Sequence, residues 1–238
     1  MSFNPDQALV RIFDEKYIQG VGFLISRRRI VTCAHVIRSC LNVEDGKRSS
    51  DLQVKIDFPL LAPKEIIFAG LEFCDDTADI AILNLPYGIT IPADTQSAPV
   101  SKLKNHEMSG KEVKLYGFPE DLVRDHWVKG ELVGSIEGGK IQIDHTPGTR
   151  TALPGFSGTA VWDAHENSIC GMVVDIMHDD DGQHVASYMI PICEIERILK
   201  RSTRFKGQPD LICYRVDRST QIKELKRHIE SRDRRAHV

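Results

Sequence analysis

The chain has 238 residues, 41% of them hydrophobic and 27% charged, proportions that exclude disordered, collagen-like and low-complexity classes for the chain as a whole. No apolar run reaches the roughly 18 residues of a membrane-spanning helix, and a formal charge of -3 gives no global reason to expect nucleic acid. The charge is uneven: residues 218–238 hold seven Lys and Arg against three Asp and Glu, a local +4 that leaves -7 on residues 1–217.

The opening text MSFNPDQALVRIFDEKY lacks a basic segment followed by an apolar one, so no secretory leader and a cytoplasmic location are expected. Cys33, Cys40, Cys74, Cys170, Cys193 and Cys213 are widely spaced and form no C-x-x-C pair. Reduced thiols packing as small hydrophobes are therefore expected, with no disulfide framework, no zinc site and no cofactor.

In chain order, runs rich in β-branched and aliphatic residues recur about every ten residues between Gly, Pro, Asn and Asp, the pattern of a β-sandwich or barrel. They cover 8–13, 20–26, 29–37, 52–58, 64–73 and 79–85, then 111–118, 126–136, 140–145, 158–164, 168–177 and 184–192. Between the two sets of six, residues 86–110 thin to prolines, small polar residues and charge, as expected of a connection between two halves. The first clearly helical text is ICEIERILKR (192–201), where Ile192, Ile195, Ile198 and Leu199 share a face. Residues 202–210 read as a linker. Beyond them Ser219 or Thr220 caps a predicted helix whose Ile222, Leu225 and Ile229 form a narrow stripe. Such a stripe fits either a frayed surface helix or the start of a further, partner-docking domain.

Three stretches carry chemistry. One strand run leads into Thr32-Cys33-Ala34-His35, Asp79 opens another, and Ser157 sits between Gly155-Phe156 and Gly158. A serine hydroxyl needs a base to become a nucleophile at neutral pH, imidazole is the natural base, and a carboxylate fixes its tautomer. The order His, Asp, Ser excludes the α/β-hydrolase arrangement, in which serine comes first in G-x-S-x-G, and the subtilisin order as well. Asp75 and Asp76 compete for the acid role but lack a following apolar strand and are expected to face solvent. His145, His178 and His184 follow Asp79 and do not fit the order. The acidic run 179–181 is expected to be a solvated hairpin tip without a metal.

The residues TCAH (32–35), ADIAIL (78–83) and GFSGTAV (155–161) resemble the three signature stretches of trypsin-like serine peptidases, a likeness extending over residues 8–200. It is nearest to the compact bacterial-type branch of heat-shock serine proteases and glutamyl endopeptidases; SYMIPICEIERILKR (187–201) is similar to their last strand and closing helix. The resemblance implies an all-β fold of two six-stranded antiparallel β-barrels with a C-terminal helix and a cleft between the barrels. It places the first barrel at about 8–95, the second at about 105–192 and the helix at 192–203, with 204–238 as a separate tail. It makes His35, Asp79 and Ser157 the catalytic residues, with the backbone N–H groups of Gly155 and Ser157 as the oxyanion hole.

By the same resemblance the substrate pocket takes Thr151 and Ala152, then Val173, Val174, Asp175 and Ile176, and Ala186 and Ser187. No Asp stands at the pocket base and no His at position 173, so a small or medium apolar side chain is expected to fit, against which Asp175 and the acidic run would favour a basic one. The chain lacks an Ile-Val-Gly-Gly-like start, so activation by a freed N-terminus is not expected. Residues 213–221 resemble the opening of regulatory modules behind trypsin-like effector domains in bacterial defence and signalling proteins. The reading is thus a serine endopeptidase acting on protein or peptide, controlled by a fused or associated sensor through 204–238, without nucleic-acid or membrane partners. The alternative is a trypsin-like fold that holds peptides without cutting them.

Overall fold

An antiparallel sheet with alternating apolar and polar positions hides its apolar face completely when it closes on itself. The computed structural model describes residues 4–41, 52–104, 107–119, 125–146, 151–178 and 184–204, and this closure occurs twice within them. The first barrel contains β1 (Leu9–Phe13), β2 (Ile18–Ser26), β3 (Arg29–Thr32), β4 (Gln53–Phe58), β5 (Ala62–Asp75) and β6 (Ile80–Asn84), in the spatial order β1-β2-β3-β6-β5-β4. The second contains β7 (Glu112–Gly117), β8 (His126–Ser135), β9 (Ile141–His145), β10 (Ala160–Asp163), β11 (Ser168–His178) and β12 (His184–Pro191), in the order β10-β11-β12-β9-β8-β7. Along β8 the alternation is plain: His126, Val128, Gly130 and Leu132 are buried while Trp127, Lys129, Glu131 and Val133 are exposed. The two six-stranded antiparallel barrels and the closing helix are those expected from the sequence.

One element departs from expectation. The run 29–37 divides: β3 ends at Thr32, and Ala34–Cys40 is a short helix, α1, burying Ala34, Val36 and Ile37. The β-branched composition of this text favours a strand, and packing of one helical face on the first barrel overrides it.

The connection between the barrels adheres to both. Ala98 N–H donates to Leu24 O at 2.8 Å, Ser101 N–H to Ile169 O at 2.8 Å, and Ile169 N–H to Pro99 O at 2.8 Å. The closing helix, α2 (Ile192–Arg204), buries Ile192, Ile195 and Ile198. Its last turns reach back to the first barrel: Arg29 Nη1 donates to Thr203 Oγ1 at 3.2 Å, and Arg201 pairs with Asp75 at 3.6 Å. No helix among the described residues is long and apolar enough to cross a membrane. The tail stripe of Ile222, Leu225 and Ile229, and the acidic run 179–181, lie outside the described residues.

No disulfide joins the five described cysteines. Cys33 and Cys170 pack as small hydrophobes in the core, whereas Cys193 lies exposed on α2. Burial pushes the Cys170 thiol up to about 12, with the Asp163 carboxylate adding to the shift; burial takes Cys40 to about 12 as well, with Asp14 contributing. A thiol that ionises near 9 when unfolded but stays protonated in the fold stabilises the native state below that pH, and the contribution is lost as pH rises toward the folded value. The urea midpoint is therefore expected to hold from pH 7 to about 9 and to fall between about pH 9 and 10. The fall should be shallower in Cys170→Ala; an unchanged slope in that variant would refute the assignment.

Candidate active site

α1 begins directly after β3, so His35 occupies the first turn of a helix whose entry is fixed by the barrel wall. Asp79 ends the turn between β5 and β6 with φ of 54°, a left-handed conformation uncommon for a residue with a side chain. The turn is shaped by Asp75, whose Oδ1 accepts the N–H groups of Thr77 at 3.1 Å and Ala78 at 3.0 Å. In that conformation Asp79 holds His35 at two points: Oδ1 accepts the His35 backbone N–H at 3.0 Å, and Oδ2 lies 2.8 Å from Nδ1. Facing an ionised carboxylate, which can only accept, Nδ1 is the donor, and in a neutral imidazole that leaves Nε2 with its lone pair. The imidazole is 35% exposed and the carboxylate 24%, so the pair is reachable from solvent.

Asp75 and Asp76 do not face solvent as expected. Asp76 pairs with Arg38 of α1 and Asp75 with Arg201 of α2, and both carboxylates are only 18% exposed. They brace the turn that carries Asp79 against the two helices.

Ser157 belongs to the second barrel but is bound to the first. Val21 N–H donates to Ser157 O at 2.9 Å. The preceding Gly20 is wedged between this carbonyl and α1: a Cβ there would lie 2.8 Å from Ser157 O and 2.6 Å from Val36 Cγ2. Val36 follows His35, so the serine backbone and the histidine helix pack on either side of one glycine. Gly158, with φ of 87°, passes so close to β2 that a Cβ would collide with Val21 O and come within 2.5 Å of Thr32 Oγ1. Its N–H donates to Val173 O at 2.8 Å, and Val173 N–H donates to Thr159 O at 2.9 Å.

On the other side of the serine, Gly155 has φ of 101° and its backbone abuts Phe118, where a Cβ would collide with the carbonyl oxygen. The side chain of Phe156 is fully buried against Gly117 and 5.4 Å from the His126 ring. The N–H groups of Gly155 and Ser157 donate to no other group among the described residues. Cys33, His35 and Asp79 offer ligand atoms within 4.8 Å of one another. Those atoms are already engaged: the Cys33 thiol, pushed well up by burial, donates to Val173 O at 3.3 Å, and Nδ1 faces Asp79.

Residues 20–172 match the family described as trypsin-like peptidase domain. The chain belongs to the trypsin-like peptidase family. Serine proteases from two strains of Mycobacterium tuberculosis are 29% identical to it over 140 residues, which is 53% of this chain and 34% of theirs. The chain thus spans about a third of the length of these relatives. A serine endoprotease from Yersinia pestis has the same fold, with a TM-score of 0.61 and 18% identity over 84% of this chain and 64% of that one.

Around the serine of this trypsin-like peptidase, the residues expected to line the pocket are unequal. Ala152, Val173 and Ser187 are fully buried and Val174 nearly so, Thr151 and Ile176 are half-buried, and Asp175 is exposed, 3.7 Å from Lys140. One neighbour was not readable in advance. His145, at the end of β9, shares the inner face of the barrel with Ser187, and its Nε2 lies 3.0 Å from Ser187 Oγ. Only the register of β9 against β12 reveals it; 42 residues separate the pair.

The close approach at Gly158 yields a quantitative expectation. Gly158→Ala should lower stability by about 3 kcal/mol, because left-handed strain adds to a collision with backbone. Gly110→Ala, also at positive φ but with nothing within 4 Å, should lower it by about 1 kcal/mol. Equal urea midpoints for the two variants would show that the Gly158 approach is not constraining.

Proposed function

We propose that this trypsin-like peptidase is a serine endopeptidase in which Ser157 is the nucleophile, His35 the general base and Asp79 the residue that orients and stabilises the imidazole. The observation that carries the reading is the two-point hold of Asp79 on His35. It fixes the tautomer with Nε2 unprotonated, on a helix packed through Gly20 against the serine backbone. Ser157 Oγ forms a bond to the scissile carbonyl carbon as its proton passes to Nε2. The negative charge gathers on the carbonyl oxygen, where the N–H groups of Gly155 and Ser157 receive it. The C–N bond then breaks, the amine leaves with the proton from His35, and an acyl-enzyme remains. Water repeats the sequence, releasing the acid and restoring the serine.

The pocket reading follows from its lining. Ala152, Val173 and Val174 form a buried apolar backing, the partly exposed Thr151 and Ile176 stand beside it, and the Asp175 carboxylate lies 3.7 Å from Lys140. A small or medium apolar residue before the scissile bond is the proposed preference. Control through residues 204–238 is also proposed: the last turns of α2, from which those residues continue, are tied by Arg201 to Asp75 and so to the turn bearing Asp79. A partner acting on the tail would pull on that turn.

A fluorophosphonate probe is expected to label the wild type and to label neither Ser157→Ala nor His35→Ala; a folded wild type that stays unlabelled would favour a peptide-holding module instead. Asp79→Asn should lower kcat by about 10⁴ with little change in KM, since it reverses the tautomer. In a peptide library, cleavage predominantly after Arg or Lys would overturn the apolar pocket. Activity unchanged on deletion of 205–238 would count against control through the tail.

A further inference from the structure

Arg11 on β1 and Asp57 on β4 are cross-strand partners, and their side chains form a two-point ion pair: Nε donates to Oδ1 at 2.9 Å and Nη2 to Oδ2. Asp57 is fully buried and Arg11 18% exposed. Asp57 Oδ2 also accepts the backbone N–H of Lys64 at 2.9 Å, where β5 bulges and Lys64 takes φ of 71°. A buried ion pair contributes little net stability, because desolvation offsets attraction. What the fork geometry does supply is direction, since a guanidinium held at two points has one plane.

That plane is aimed across the barrel interface. The guanidinium carbon lies 5.4 Å from the Phe13 ring centroid and 5.2 Å from that of Phe118, which follows β7 in the second barrel. Phe118 also meets the Tyr116 ring edge-on at 5.4 Å. With Tyr116 it forms a small apolar cluster with Leu9 and Val21 of the first barrel, apart from the main core. Its backbone abuts Gly155, as described above, and its N–H approaches Gly155 O at 3.4 Å. A continuous series of contacts thus runs from the buried Asp57 through Arg11 and Phe118 to Gly155.

We propose that Arg11, oriented by Asp57, is a positioning residue for the oxyanion site: it clamps the Phe118 ring and so holds the Gly155 N–H where the tetrahedral oxygen forms. The proposal rests on the reading of Ser157 as nucleophile and Gly155 as oxyanion donor. Losing an oxyanion donor outright costs about 10²–10³ in kcat, so a displaced donor should cost about tenfold.

The test uses the full chain with Arg11→Met, Phe118→Leu and the double variant. Arg11→Met leaves Asp57 buried without its partner and risks misfolding, whereas Phe118→Leu keeps the ion pair and removes only the ring. With a fluorogenic peptide taken from the library above, each variant should lose about tenfold in kcat with KM within twofold. Each should weaken in parallel toward a peptide boronic acid, which forms the tetrahedral adduct, and the double variant should be no worse than the worse single one. Full kcat in a folded Phe118→Leu, or losses that multiply, would overturn the proposal. Amide hydrogen exchange at position 118, whose N–H donates to Gly155 O at 3.4 Å, supplies a readout independent of turnover: faster exchange in both variants, relative to the intrinsic rate of each sequence, is expected, and unchanged exchange overturns the clamp. A wild type that neither cleaves peptide nor takes fluorophosphonate, yet shows the exchange effect, would sink the peptidase reading and leave the clamp standing.

Discussion

Two closed barrels that share one protein need a seam, and next to the serine that seam is a few backbone groups between Val21 and Ser157-Gly158. Val21 gives its N–H to Ser157 O, while its own carbonyl accepts Thr32 Oγ1 at 2.7 Å and faces Gly158 too closely for any side chain. Val173 O on β11 receives both the Gly158 N–H and the Cys33 thiol, so the loop after Ser157 and the residue that follows β3 in the other barrel share one acceptor. These bonds are short, buried and directional, and leaving one unmade would strand a polar group away from water. Through this seam, and through Gly20 wedged between Ser157 O and Val36, the helix bearing His35 and the backbone of Ser157 are set against each other.

Much of this was legible in the sequence because its causes are local. Alternation marks the inward face of each strand whatever the topology, so twelve strands in two groups could be read from composition. The three proposed catalytic residues could be picked out because each sits in a short stretch of distinctive text, and around the serine that text is dictated by geometry: Gly158 by the seam, Gly155 by its approach to Phe118. What escaped has causes distant in the chain. The helix α1 lies in text that favours strands, and only the barrel wall behind Val36 and Ile37 makes it a helix. Asp75 and Asp76 look like turn residues, and their arginines come from positions 38 and 201. The Arg11–Asp57 pair spans 46 residues, and nothing in either local sequence points to the other.

The residue just before the proposed nucleophile anchors its loop in the second barrel. Position 156 is a phenylalanine, fully buried between Gly117 and His126, so the loop is pinned from within by apolar contact. Such a pin is non-directional and is in place once the second barrel is packed. The other wall is held differently: the turn bearing Asp79 is tied by ion pairs to α1 and α2, which are directional and partly exposed.

The glycine after the serine carries a lesson for tracing ancestry. Because Gly158 is required by the contact between barrels, a descendant that abandoned its chemistry and changed Ser157 would still be compelled to keep it. The glycine in this signature therefore records inheritance of an architecture, and a pseudoenzyme would carry it as faithfully as a working protease. To tell the two apart in a genome one would consult the left-handed aspartate at 79 and the histidine it holds, which the seam does not demand.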